Sequence, residues 1–232
     1  MSDTLLSIQR MLDKKSLDIV GYFNPDGSDN VCSKVRTILL IGPKEPYFWD
    51  VFKKSSEYKN KKENPLDRWS KKTIEEIAIK FDARSFFPFE EPFQPFITWA
   101  QKCSTMGSSP VRLLVHKEKG LFISFRGALG INEYIESPNN SKDICTPCEK
   151  PCLTACPVSA LNQDGYDVIR CKEYVNTPSG QECRNGCLVR RACPSGQNLR
   201  LKEQSNFHMR AFLSDQVNDL ISDSKTALFY QT

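Results

Sequence analysis

The sequence predicts an α+β protein, with an N-terminal mixed-sheet α/β domain followed by a small cysteine-rich module. Three observations predict it. Helix-like and strand-like apolar patterns alternate through residues 1–135, whereas eight of the ten cysteines fall between Cys145 and Cys193. The segment that holds those eight is rich in Pro, Gly and Arg and poor in aliphatic side chains, so it needs something other than a hydrophobic core to hold it together. The expected organisation is an α/β domain over 1–135, a cysteine-rich module over 136–203, and a C-terminal helix and tail over 204–232.

With 39% hydrophobic residues the 232-residue chain has enough apolar side chains to bury a core, and its length allows one domain or two small ones. Its 32 basic and 28 acidic residues are scattered, and the net charge of +4 is too small to argue for nucleic acid. No stretch approaches the roughly 18 apolar residues of a membrane-spanning helix, and Met1 to Leu6 lacks a basic start followed by an apolar run. A cytoplasmic location is expected, with neither membrane nor nucleic acid as partner.

The elements follow in order. Ser2 or Asp3 can cap a helix running through Leu5, Leu6, Ile8, Met11 and Leu12, and Leu17 to Phe23 reads as a buried strand. Asn24 to Ser28 is turn-rich. Arg36 to Gly42 is short, apolar and β-branched, the pattern of an interior strand closed by Pro43. Asn64-Pro65-Leu66-Asp67 combines a capping residue, proline at the first helical position and an early acid, and Ile74, Ile77, Ala78 and Phe81 then recur at helical spacing.

Phe86 to Trp99 is dense in aromatics and prolines, and reads either as a core-lining connection or as a wall for a flat cofactor. Val111 to His116 and Leu121 to Arg126 are strand-like and flank Lys117 to Gly120, which predicts a hairpin. Ser137 to Ser141 is a linker by composition, and helical spacing returns from Asn206 through Phe207, Ala211, Phe212 and Val217.

Cysteine spacing carries the strongest functional signal. In a reduced compartment, clustered cysteines point to metal ligation rather than disulfides. The first run, Cys145-x2-Cys148-x3-Cys152-x3-Cys156-Pro157, is followed by Cys171, Cys183, Cys187 and Cys193, the last again before a proline, Pro194. Zinc sites built from four cysteines usually show two C-x2-C pairs, whereas this chain has one. Iron–sulfur ligation fits the spacing better, because one segment must wrap a compact cube and present several sulfurs inward. A single cluster with a zinc ion or free thiols in the second set remains open at this point. Lys150, Lys172, Arg184, Arg190 and Arg191 stand among the cysteines, either offsetting cluster charge or forming a solvated surface.

The first run resembles that of bacterial two-cluster ferredoxins, with one extra residue before its third cysteine. The resemblance implies two [4Fe-4S] clusters with crossed ligation. Cys145, Cys148, Cys152 and Cys193 would hold one, and Cys156, Cys171, Cys183 and Cys187 the other.

An α/β domain ahead of such a module, with Val115 to Leu129 and Arg170 to Val175 as local matches, resembles epoxyqueuosine reductase. More distantly it resembles the reductive dehalogenases and the cobalamin-processing decyanase. That resemblance implies cobalamin in the first domain, reduced by the adjacent cluster. The Asp-x-x-Pro and Gly-Trp-x-Gly-Lys-Asn segments of the reductase are missing, as is its tRNA-holding repeat domain, so tRNA modification is not expected. His116 is expected to be structural and His208 a capping or surface residue.

Trp99, Ser109, Ser124 and Arg126 are the candidate cofactor-binding residues. Arg126 ends an apolar strand beside Gly127 and could reach an anionic group or make an ordinary ion pair. No dinucleotide, P-loop or serine-hydrolase motif is present.

The expected function is an iron–sulfur reductase that passes single electrons from two clusters to a cobalamin-like cofactor or a substrate, with a redox protein as electron donor. The alternatives are a ferredoxin-type carrier with no substrate of its own, and a zinc-stabilised interaction module.

Overall fold

The computed structural model describes residues 2–138 and 143–213. The chain begins with helix α1 (Asp3–Asp13), strands β1 (Leu17–Phe23) and β2 (Thr37–Pro43), and helices α2 (Phe48–Lys53), α3 (Ser56–Lys59) and α4 (Pro65–Lys80). Strand β3 (Arg84–Phe86), helix α5 (Phe96–Lys102) and strands β4 (Met106–Ser108), β5 (Leu114–His116) and β6 (Gly127–Ile131) come next. Two short strands, β7 (Leu161–Asn162) and β8 (Gly165–Tyr166), precede α6 (Val168–Val175), α7 (Gln181–Arg184), α8 (Leu188–Ala192) and α9 (Lys202–Leu213). These residues form two compact units, 2–105 with 124–138 and 106–123 with 143–213. No helix among them is long and apolar enough to cross a membrane.

The first unit is built on a four-stranded sheet in the order β1-β2-β6-β3. All seven residues of β2 are buried, as expected of an interior strand. The fold is α+β, and each of the three ladders is antiparallel. Strands β2 and β3 therefore run the same way on either side of β6. Their helical connection has the sequence pattern of a parallel crossover, but β6 occupies the place between them.

Local chemistry explains the elements. Ser2 Oγ accepts from the Leu5 amide at 3.2 Å and starts α1, whose Leu5, Ile8 and Leu12 are buried. Pro65 opens α4, where Leu66, Trp69, Thr73, Ile74 and Ile77 form the buried stripe, while Ile79 is 83% exposed. Two aromatic groups fill the core. Phe48 and Phe52 pack with Trp69, and Phe23, Phe86 and Phe96 surround Trp99. The aromatic stretch is thus core-lining at Phe86, Phe87, Phe96 and Trp99, with Phe93 exposed.

The predicted hairpin differs from the structure. Strand β5 forms, but it pairs with β4, and only an isolated bridge joins His116 to Gly120. Leu121 to Arg126 is buried without being a strand, and β6 starts at Gly127. Apolar character marks burial, and here the burial is that of an irregular connection.

Strand β6 carries two glycines because there is no room for side chains. A Cβ on Gly127 would lie 2.7 Å from Ile74 Cδ1, and one on Gly130 would lie 2.9 Å from Val35 and from Phe86.

The expected boundary at 135 separates the chain in sequence, whereas in space residues 106–123 belong with the cysteine-rich segment. Helix α9 belongs to that same unit and begins at Lys202, ahead of the expected start, while Val217 lies outside the described residues.

All three tryptophans lie in the first unit, so their fluorescence reports its unfolding. Leu39, fully buried on β2, should lose about 2–5 kcal/mol of stability as Leu39→Ala. Exposed Ile79→Ala should move the urea midpoint by under about 0.5 kcal/mol equivalent. Equal effects of the two substitutions would contradict the burial assigned to them.

Candidate metal centre

The second unit has a small apolar core of Val111, Leu113, Val115, Leu121, Cys152, Leu161 and Val189. Residues 106–123 supply four of these seven, aliphatic bulk that the cysteine-rich segment lacks. Cys145, Cys156, Cys187 and Cys193 pack half-buried against this core.

Backbone contacts hold the Lys117 to Gly120 loop in place. His116 Nδ1 accepts from the Glu118 and Lys119 amides at 3.0 and 3.1 Å, so His116 is structural, as expected. Gly120, at φ 58°, lies so close to the chain after Cys193 that a Cβ there would strike the Ser195 carbonyl and come within 3.0 Å of Cys193 Sγ. Arg190 donates to the Leu121 carbonyl at 2.6 Å and Arg200 to the Phe122 carbonyl at 2.8 Å.

The eight cysteines gather into two sets. Cys145, Cys148, Cys152 and Cys193 surround one cavity together with Ser109, Val115, Leu121, Pro151 and Pro194. It encloses about 260 Å³ of atom-free space, part of it open to solvent. Cys156, Cys171, Cys183 and Cys187 are electrostatic neighbours of one another and form the second set.

Two short segments explain the partition. Cys152 lies in a single 3-10 turn, Pro151–Leu153, and Cys156 follows it. Cys187 is the N-cap and Cys193 the C-cap of α8, so roughly 9 Å of helical rise separates them. Cys152 in the turn and Cys156 beyond it therefore go to different sets, as do the two cysteines that flank α8. Among the described residues no three His, Cys, Asp or Glu side chains are grouped so as to hold one metal ion. The sulfurs of the first set stand around a cavity rather than at a point.

Four of the sulfurs resist ionisation. Burial, followed by neighbouring thiolates, raises the Cys145, Cys152 and Cys183 thiols above the ordinary range. Cys171 is pushed up to about 11 by burial, partly opposed by a hydrogen bond from the Tyr166 hydroxyl. Backbone amides also reach the sulfurs, from Lys150 to Cys148 at 3.3 Å and from Ala160 to Cys156 at 3.2 Å.

The basic residues among the ligands divide by role. Arg184 donates to the Val175 and Thr177 carbonyls, and Arg191 to the Asn185 carbonyl, so both hold loops in place. Lys150 is exposed.

Of the four candidate cofactor residues, Trp99, Ser124 and Arg126 belong to the first unit and Ser109 to the second. Trp99, fully buried in its aromatic cage, forms core rather than a pocket wall. Ser109 belongs to the second unit and lines the cavity of the first thiol set. Ser124 is buried in the first unit, its carbonyl against Gly42. Arg126 is 3% exposed, makes a 3.7 Å ion pair with half-buried Asp67, and has no hydrogen-bond partner at Nε. Burial pulls its guanidinium down, with Asp67 and Glu45 acting the other way.

Sequence reasoning missed Tyr166 and the place of Ser109. The Pro110 that follows Ser109 and the Gly165 before Tyr166 marked turns, but no spacing rule ties either hydroxyl to a cysteine.

No protein-family model and no curated protein matches the chain. Among solved structures, epoxyqueuosine reductase from Streptococcus thermophilus is similar over 84% of this chain and 66% of its own length, at 14% sequence identity and a TM-score of 0.49. This chain thus spans just under two thirds of that protein.

Metal-free protein should alkylate first at exposed Cys32 at neutral pH. Because the Cys171 thiol is raised to about 11, its thiolate is scarce at neutral pH, and its rate should climb about tenfold per pH unit through the alkaline range. Peptide mapping after timed labelling measures this. Cys171 labelling as fast as Cys32 at neutral pH would contradict the burial described.

Proposed function

We propose that this chain is an iron–sulfur electron-transfer protein. In this reading it holds two [4Fe-4S] clusters in its second unit and passes single electrons to a cofactor or substrate held by the first. The observation that carries the reading is the grouping of eight cysteines into two sets of four, each drawing thiols from both cysteine runs. Two-cluster ferredoxins divide their ligands in this way. The donor chemistry fits as well, since soft thiolates around a partly apolar cavity suit iron–sulfur ligation.

Bound clusters would supply one-electron chemistry, and the protein's own side chains have separate tasks. Val115, Leu121, Pro151 and Pro194 keep water from the first set, while the Lys150 and Ala160 amides favour charge on sulfur. In the first unit Arg126 is the candidate for meeting an anionic group. A corrinoid is the cofactor to test first, and a redox protein would be the electron donor.

Protein purified without oxygen should be brown and carry about eight irons and eight sulfides per chain. Zinc without acid-labile sulfide would overturn the proposal in favour of a zinc-stabilised module. Cys145→Ser and Cys193→Ser should perturb one EPR signal of the reduced protein, and Cys156→Ser and Cys183→Ser the other. Variants of one set that alter different signals would break the partition. Adding a corrinoid should shift its visible spectrum, and no shift would leave a ferredoxin-type carrier.

A further inference from the structure

We infer that Ser109 is a positioning residue for the first thiol set, its hydroxyl donating a hydrogen bond to a sulfur of the cluster that Cys145, Cys148, Cys152 and Cys193 hold. The inference rests on the iron–sulfur reading above and adds a residue that sets one centre's reduction potential apart from the other's.

Three observations carry it. Ser109 is 6% exposed, and its Oγ is buried with no hydrogen-bond partner. Leaving a buried hydroxyl unpaired is costly, so a missing acceptor is the economical account of it. Its backbone is already committed. The Ser109 amide donates to the Leu113 carbonyl at 2.8 Å, and its carbonyl accepts from the Arg112 amide at 2.9 Å. The side chain therefore sits on a pinned turn. Finally, the cavity that Ser109 lines offers few acceptors. Besides Ser109 it is lined by Pro110, Val115, Leu121, Lys150, Pro151, Pro194 and the four cysteines, so the sulfurs are the only other side-chain acceptors.

The second set differs, because its hydroxyl is already engaged, Tyr166 donating to Cys171. Each centre thus has its own hydroxyl donor, one waiting for an acceptor and the other paired with a ligand sulfur.

The consequence for redox behaviour follows from charge. Reduction adds one electron from an external donor to the cluster and makes its sulfurs more negative, while the serine proton stays on Oγ. A hydrogen bond to sulfur is stronger in the reduced state, so it favours reduction. Removing it should make the first centre harder to reduce and leave the second unchanged.

The test is an EPR-monitored redox titration of anaerobic holoprotein, reduced by dithionite with mediators, for wild type and Ser109→Ala. A Thr and Val pair at the same position, alike in shape and differing in the hydroxyl, completes the set. At equal iron and sulfide content, Ser109→Ala and Ser109→Val should shift one midpoint to more negative potential, with Ser109→Thr returning it toward wild type. An unchanged midpoint in the fully loaded Ala or Val variant would overturn the inference. Should loading itself change, iron uptake by the Thr but not the Val variant supports it, and equal failure of both overturns it. Wild-type protein with no iron or sulfide would instead refute the cluster reading, an outcome separate from any effect of Ser109.

Discussion

The second unit depends on one constraint: its cysteine-rich segment cannot bury a core by itself. Val111, Leu113, Val115 and Leu121 fill that core from a stretch of chain that precedes the cysteines by tens of residues. Burying such side chains contributes roughly 1.5–3 kcal/mol each, which is substantial in a unit whose strands are two or three residues long. The stretch is clamped as well as packed. Gly120 and Gly196 bring two backbones into contact at Lys119 and Ser195, and two arginines tie the Leu121 and Phe122 carbonyls. Because Cys193 lies beside this contact, the core that supports the unit also places the last sulfur of the first set.

Sulfur geometry and folding are coupled through charge. The raised thiols of Cys145, Cys152, Cys171 and Cys183 are tolerable as neutral groups, whereas a bound cluster would require thiolates. Binding energy must therefore cover both deprotonation and the ordering of loops. Sharing each short element between the two sets distributes that coupling. Since Cys187 and Cys193 cap α8 at its two ends, a cluster bound at either set would help fix the helix that serves its neighbour.

Much of this architecture was legible in the sequence where a local rule sufficed. Ser2 capping α1, Pro65 opening α4 and the apolar run of β2 each depend on neighbours within a turn or two. The expected grouping of the cysteines came from the resemblance to two-cluster ferredoxins, although the first run has one extra residue before Cys152. What was not legible depended on distant partners. Strand β6 contains Gly127 and Gly130 because Ile74, Val35 and Phe86 crowd it, and glycine-rich sequence does not look like an interior strand. Leu121 to Arg126 looked like a strand because burial and strand character share an apolar signature. The surroundings of Ser109 were not legible, because its neighbours in the cavity come from residues 115–121, 145–152 and 193–194.

The same comparison narrows the first unit's contribution. Of the residues in that unit singled out for a cofactor, Trp99 is enclosed by other rings and Ser124 lies within the packed strand connections. Arg126 is different in kind. A guanidinium has five donors, and this one has a single ion pair at 3.7 Å and an unpaired Nε while almost wholly excluded from water. Desolvation costs both groups, raising the half-buried Asp67 carboxyl and lowering the Arg126 guanidinium, with their mutual attraction acting the other way. An apolar residue at the end of that connection would pack without such a cost. The sequence retains a charge where packing alone would not choose one.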